Sequence, residues 1–274
     1  MPCQRLGEPS VHAAAGPDDT SAPPLSVTGI TKTFGGLQVV EGMNLTVNRG
    51  ELVGLIGPNG AGKTTLFNLI AGSLKPDAGR IAINGRDMTA APAEARIGNG
   101  LGRTFQISRP FNEMTVLENV MTAVQHQTGE SIFSNLFRRR QINAEEKTAR
   151  AKAMELLTFL SIDRLADEPA KVMSGGQRKL LELARILITE PRVILLDEPA
   201  AGVNPALMDL IADRIVEINR SGVSILLIEH NMDLIARLCE RVVVMAAGQE
   251  LTQGTPDEIV ANTDVVEAYL GDVV

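Results

Sequence analysis

The patterned part of the chain begins with "LSVTGITKTFGGLQVVEGMNLTVN", residues 25 to 48, where apolar and polar positions alternate on both sides of a Gly-Gly break. A period of two belongs to strands with one face buried and one face wet, and glycines between two such runs mark a turn. "GRIAIN" at 79 to 84 continues the alternation. Three other runs do not alternate: "ELVGLIG" at 51 to 57, "RVILLDEP" at 192 to 199 and "VSILLIEH" at 223 to 230 are short and nearly continuously apolar. Strands of a parallel sheet, buried on both faces, have that composition.

Between these runs the period changes to that of helices, over 64 to 71, 178 to 188 and 206 to 219. Strand and helix therefore alternate, which predicts a parallel sheet with right-handed crossovers. The stretch from about 92 to 172 breaks the alternation and reads as helices and loops, including "NAEEKTARAKAMELLTFL" at 143 to 160. It is expected to be a helical subdomain inserted between halves of the sheet core. "RVVVMAAGQELTQG" at 241 to 254 predicts a hairpin turning at Gly248 and Gln249, and "TPDEIVANTDVVEAYLG" a closing helix with Pro256 and acidic residues near its start.

Composition narrows the setting. A chain of 274 residues that is 44% hydrophobic can bury a large core, and a net charge of -7 gives no overall attraction to a phosphate backbone. Nucleic acid is not expected as a partner, so any binding of polyphosphate must be local. Two cysteines, Cys3 and Cys239, form neither a disulfide framework nor a metal spacing, which points to a reducing cytoplasm; Cys239 reads as a small buried hydrophobe. The longest apolar runs, such as "VSILLI" and "VVVMAA", fall far short of the roughly 20 residues that span a bilayer. Residues 1 to 24 lack the charged start and apolar centre of a secretory signal and read as a disordered tail before one domain over 25 to 274.

Local chemistry begins at Gly57, Pro58, Asn59, Gly60, Ala61, Gly62, Lys63 and Thr64, which satisfy the phosphate-loop pattern between a predicted strand and a predicted helix. Backbone amides curl round phosphate oxygens there, Lys63 is expected to reach the β- and γ-phosphates, and Thr64 to ligate Mg2+, with Thr65 beside it. The expected fold is α/β: a phosphate-loop nucleoside triphosphatase (NTPase) core on a parallel sheet, an N-terminal antiparallel β subdomain and the inserted helical subdomain.

"VILLDE" at 193 to 198 places Asp197 and Glu198 at the C-terminal edge of that sheet, beside the phosphates. Asp197 is expected to hold Mg2+ through water and Glu198 to orient or deprotonate an attacking water. Helix capping or ion pairing is the plainer alternative. "MSGGQRKLLELARIL" at 173 to 187 then reads as a helix with one apolar face and a glycine pair at its start. One chain already has a complete amide cradle, so a second phosphate-suited helix start reads either as a site for another nucleotide or as a capped helix.

Together these segments resemble the ATP-binding cassette family over about 25 to 271, with Ser174, Gly175, Gly176 and Gln177 matching its signature. The resemblance implies two cassettes facing head to tail, the signature of one closing on the ATP held by the other. It further implies adenine stacking on Phe34, a loop at Gln106 that senses Mg2+ and the transporter, and a switch at His230 that contacts the γ-phosphate. Asn204 in "AAGVNP" stands where most cassettes carry Asp. "LDEPAAGVNP", "GRTFQISRPFNEMTVLENV" and the segment from Ile228 to Gly271 are similar to the ATPase subunits of branched-chain amino-acid importers, many of which have a tyrosine where Gly175 stands.

That likeness implies an ATPase bound peripherally to the inner face of the cell membrane. Its partners would be a second ATPase subunit, identical or paralogous, transmembrane permeases and, indirectly, a periplasmic or extracellular substrate-binding protein. Urea, amides or lipopolysaccharide remain alternative cargoes, and a soluble non-transport cassette protein or a plain phosphate-loop kinase alternative classes. Met114, Val116 and Leu117 read either as core or as an apolar patch for a membrane partner's helix. Arg138, Arg139 and Arg140 read as a solvated loop face, and His12 and His126 have no ligand-like neighbours.

Overall fold

The two kinds of apolar run separate into two sheets. In the computed structural model, which describes residues 22–104, 110–125 and 139–270, the alternating segment forms β1 (Leu25–Phe34) and β2 (Leu37–Val47), paired antiparallel across the Gly35–Gly36 turn. Next come β3 (Leu52–Ile56), α1 (Lys63–Ala71), β4 (Ala78–Ile83) and the short β5 (Arg86–Asp87). The middle of the chain supplies α2 (Ala93–Gly98), β6 (Leu101–Arg103), α3 (Val116–Met121) and α4 (Arg139–Phe159). The remainder is α5 (Gly175–Leu187), β7 (Val193–Asp197), α6 (Pro205–Arg220), β8 (Ser224–Ile228), α7 (Met232–Leu238), β9 (Arg241–Ala246), β10 (Gln249–Gly254), α8 (Pro256–Val260) and α9 (Thr263–Leu270).

One sheet has the order β2-β1-β4-β5 and is antiparallel throughout. The other has the order β10-β9-β3-β8-β7-β6 and is parallel except where β10 pairs with β9. The central strands have no polar face because apolar side chains leave both sides. Val193 and Leu195 of β7 join an apolar cluster with Leu66, Phe67 and Ile70 of α1 and the antiparallel sheet, whereas Ile194 and Leu196 join one with α5 and α6. That second cluster also takes in Val116, Leu117, Ala153 and Leu157, so the helical region shares its core with one face of the sheet.

The structure corrects several boundaries. Within the stretch read as helices and loops, β6 pairs parallel with β7 at the sheet edge; with Leu101 as its sole apolar residue it gives no periodic signal. The terminal hairpin turns at Ala247 and Gly248, with Gln249 already paired to Ala246. Both turn residues have positive φ, 46° and 83°, the geometry whose twist matches flanking strands. The closing segment is two helices, because Asn262 Oδ1 accepts from the N–H groups of Asp264 and Val265 and starts α9 afresh.

Arg139 and Arg140 open α4 rather than lying in a loop. Pro24, the residue before β1, is already anchored rather than part of a tail, its carbonyl accepting from Asn84 N–H at 2.9 Å. The tail expectation for residues 1–21, with Cys3 and His12, lies outside the described residues, as do Gln106, His126 and Arg138.

A buried arginine closes the end of α1. Arg96 is 1% exposed, and its guanidinium donates to the carbonyls of Leu69 and Ile70 in the last turn of that helix and to Thr89 and Ala91. Carbonyls at a helix C-terminus carry partial negative charge, so they receive a cation without a carboxylate partner.

Candidate nucleotide site

β3 delivers the chain into a loop that only glycine can make at two places. A Cβ on Gly57 would stand 1.9 Å from the Met245 carbonyl oxygen, and one on Gly62, at φ 96°, 2.5 Å from that of Val39. The loop is thereby wedged between β9 and β2. Gly62 caps α1 without a side-chain hydrogen bond, so the cap itself puts no acceptor in the way of an anion at the helix start.

Lys63 is buried and donates to the carbonyls of Gly57 at 2.6 Å and Pro58 at 2.8 Å, folding its ammonium over the loop. Thr64 is exposed and Thr65 half-buried. Pro58 is half-buried, Asn59 and Gly60 exposed and Ala61 buried, so the loop's tip is its open part.

Asp197 ends β7 and is 3% exposed. Burial pushes its carboxyl above the usual range, against the pull of the Arg103 guanidinium, with Glu198 adding to the rise. Its N–H donates to Thr104 Oγ1 at 2.9 Å, but its buried Oδ2 has no hydrogen-bond partner. An orphaned carboxylate oxygen is costly. Asp197 and Thr64 line one cleft of about 700 Å3, together with Asn68 and Arg103. A carboxylate oxygen lacking a partner and a hydroxyl on the same cleft fit a hard cation such as Mg2+.

Glu198 follows in the left-handed region at φ 47°. Its N–H donates to Ile228 O at 3.0 Å and its carbonyl accepts from Lys179 Nζ at 2.6 Å, so strands β7 and β8 and helix α5 all fix its backbone. Its Oε1 meets His230 Nε2 at 2.9 Å. Glu229, 5% exposed, joins the two loops beneath: Oε1 accepts from Ala200 N–H at 3.3 Å and Oε2 from His230 N–H at 3.2 Å.

Phe34, at the end of β1, is 44% exposed, with the Lys32 ammonium 5.4 Å from its ring centroid. At the other candidate site, Ser174 caps α5 and pairs reciprocally with Gln177, Oγ accepting at 3.3 Å and Gln177 Oε1 accepting from Ser174 N–H at 2.9 Å. A Cβ on Gly176 would stand 2.0 Å from Leu207, whereas one on Gly175 meets open space.

None of the four signature residues is among those lining the cleft of Thr64 and Asp197. Asn204 caps α6 through Leu207 N–H at 2.9 Å. Val116 and Leu117 are core residues, at most 1% exposed, and Met114 is half-buried; the exposed apolar residue nearby is Phe111, under the Arg185 guanidinium.

Sequence reasoning missed Glu229, Thr104 and Lys179. Glu229 had a signal, a carboxylate directly after an apolar strand and beside His230, whereas the other two act through contacts distant in sequence.

The family described as ABC transporter matches residues 40–201, and a second described as branched-chain amino acid ATP-binding cassette transporter matches 249–274. The chain is 39% identical over 253 residues to the high-affinity branched-chain amino acid transport ATP-binding protein BraF of Pseudomonas aeruginosa, covering 92% of this chain and 99% of that one. It is 39% identical over 247 residues to a probable branched-chain amino acid transport ATP-binding protein, LivG, of Archaeoglobus fulgidus, covering 90% and 95%. Among solved structures, a nucleotide-free ATP-binding cassette from an ABC transporter superposes with a TM-score of 0.78 at 37% identity, covering 90% of this chain and 99% of that one. An ATP-binding cassette of an ABC transporter in its ADP conformation matches at the same score and identity, over 91% and 99%. With a glycine loop on a capless helix start, an acid pair closing a buried strand and a capped Ser-Gly-Gly-Gln helix, the chain belongs to the ABC transporter family as an ATP-binding, ATP-hydrolysing cassette.

Proposed function

We propose that this cassette powers a branched-chain amino-acid importer, working as one of two ATPase subunits on the cytoplasmic face of separate permease chains. No helix among the described residues is long and apolar enough to cross a membrane, so in this reading other chains form the pathway and choose the cargo. The cargo class rests on what the relatives are named for, and a substrate-binding protein would reach this subunit only through the permeases. Phe111, exposed and five residues after Gln106 in sequence, suits contact with a permease.

The observation that carries the hydrolytic reading is the 2.9 Å contact of Glu198 with His230, next to the buried Asp197. Lys63 exchanges its loop carbonyls for the β- and γ-phosphates, which the amides at the start of α1 also hold. Phe34 stacks on adenine. Thr64 and Asp197 would hold Mg2+, with Gln106, and the ion supplies charge neutralisation on the phosphates.

Glu198 accepts a proton from a water whose oxygen attacks the γ-phosphorus. The bond from that phosphorus to the bridging oxygen breaks, and the electron pair leaves with ADP. His230 holds the Glu198 carboxylate and faces the γ-phosphate. Ser174, Gly175, Gly176 and Gln177 close on the nucleotide of the second cassette.

Uptake in cells lacking this chain tests the cargo. Loss of labelled leucine, isoleucine and valine uptake, restored by the wild-type chain but not by Lys63→Ala, is the expected result. Normal uptake of all three with loss of urea uptake would replace the cargo assignment.

A further inference from the structure

The helix that begins with the Ser174–Gln177 tetrapeptide also holds the backbone of the hydrolytic carboxylate. Lys179 lies two residues beyond Gln177 on α5, and its ammonium reaches the carbonyl of Glu198 at 2.6 Å. The residue it grips is strained: a glutamate at φ 47° sits in the region that side chains avoid and persists only where its surroundings fix it. From the sheet, Ile228 O fixes the Glu198 N–H at 3.0 Å; from the helix, Lys179 fixes the Glu198 carbonyl. The carboxylate that meets His230 is therefore aimed by a backbone held from two sides.

Lys179 with Thr104, Glu182 and Asp197 also lines a cavity of about 20 Å3 under the end of β7, room for about one water. Its half-buried stem packs in the wall between helix and strand.

We propose that Lys179 is a positioning residue for hydrolysis: its ammonium ties the signature helix to the Glu198 backbone of the same chain, so that seating of a second copy's nucleotide against the helix start sets the aim of Glu198. This rests on the reading of Glu198 as the base and of the tetrapeptide as a contact for the other cassette's triphosphate. The helix then acts as a lever with the partner's phosphates at one end and the attacking water's base at the other. Misplacing a catalytic group by about 1 Å costs on the order of 10²-fold in rate. A lost grip on one carbonyl is of the size to do that.

Single-turnover and steady-state hydrolysis of ATP by the full chain test it, using Lys179→Met, Lys179→Arg, Glu198→Gln and the Lys179→Met/Glu198→Gln double variant. Lys179→Met is expected to lower kcat by roughly 10- to 100-fold with KM for ATP within about twofold. Lys179→Arg, which keeps a cationic donor, should recover most of the rate. On the Glu198→Gln background, Lys179→Met should cost nothing further, because a residue that acts only through the carboxylate is silent once that carboxylate is gone.

A wild-type rate for Lys179→Met beside an inactive Glu198→Gln overturns the lever and leaves the base assignment standing. The same overturning follows if the loss falls on KM, or if it repeats in full on the Glu198→Gln background. A wild-type rate for Glu198→Gln removes the base assignment and the lever with it. Should Lys179→Met melt well below wild type, Lys179→Leu, which keeps helix propensity and has no hydrogen-bond donor, carries the same expectations.

Discussion

Glu198 Oε1 and His230 Nε2 lie 2.9 Å apart although 31 residues separate them along the chain, because β7 and β8 are parallel neighbours and both side chains leave the same sheet edge. Their pairing gives the acid after β7 a fixed direction. Replacing Glu198 with Gln keeps its size and removes the base, so hydrolysis should fall roughly 10²- to 10⁴-fold while ATP binding persists. With ATP and Mg2+ the variant should then elute as a dimer on size-exclusion chromatography, and as a monomer with ADP. A monomer under both conditions, with ATP binding confirmed by titration, would rule out the ATP-driven clamp.

Lys63→Ala should abolish measurable ATP binding without unfolding the chain. Lys63 donates to two carbonyls at the loop itself, and the fold around them rests on glycine contacts with Met245 and Val39. Titration with a fluorescent ATP analogue, alongside a melting curve, separates the effects. Unchanged affinity would contradict the phosphate role.

Arg96→Met should destabilise the protein by about 2 to 4 kcal/mol, since it removes donors from the buried end of α1, taking the guanidinium from the Ile70 carbonyl and leaving the Leu69 carbonyl with the Gly72 N–H. Urea denaturation measures it. A loss under about 0.5 kcal/mol would mean that water reaches those carbonyls.

Cys239 should resist thiol reagents in the folded protein. Burial pushes its thiol up to about 12, with Glu229 adding to the rise. The raised folded value means that the neutral thiol favours the fold below the ordinary thiol value of 9.0, a contribution lost as pH climbs from there through about 12. In a Cys3→Ser background, labelling at pH 8 should be slow until denaturant is added, and stability should decline above pH 9. Rapid labelling of the folded chain would show the site open.

Much of the site was legible because it consists of local backbone demands. Gly57 and Gly62 are dictated by contacts that no side chain fits, Ser174 and Gln177 by a cap that spans three residues, and Asp197 and Glu198 by the end of a continuously apolar strand. What stayed hidden is held by distant partners. Lys179 looks like any polar position of an amphipathic helix until Glu198, 19 residues on, is seen above it. Arg96 reads as a surface charge until the end of α1 folds over it, and β6 is too short to show a period at all.

The grip of Lys63 on Gly57 and Pro58 bears on which anions the loop admits. Its ammonium is already satisfied, so a visitor must exchange two carbonyl bonds for its own. Free orthophosphate, abundant in any cell, brings one phosphorus centre to that exchange and no adenine to lay on Phe34. A triphosphate brings neighbouring oxygens from two centres. With Lys63 as the proposed phosphate ligand, selectivity against the commonest small competitor follows from how that lysine rests.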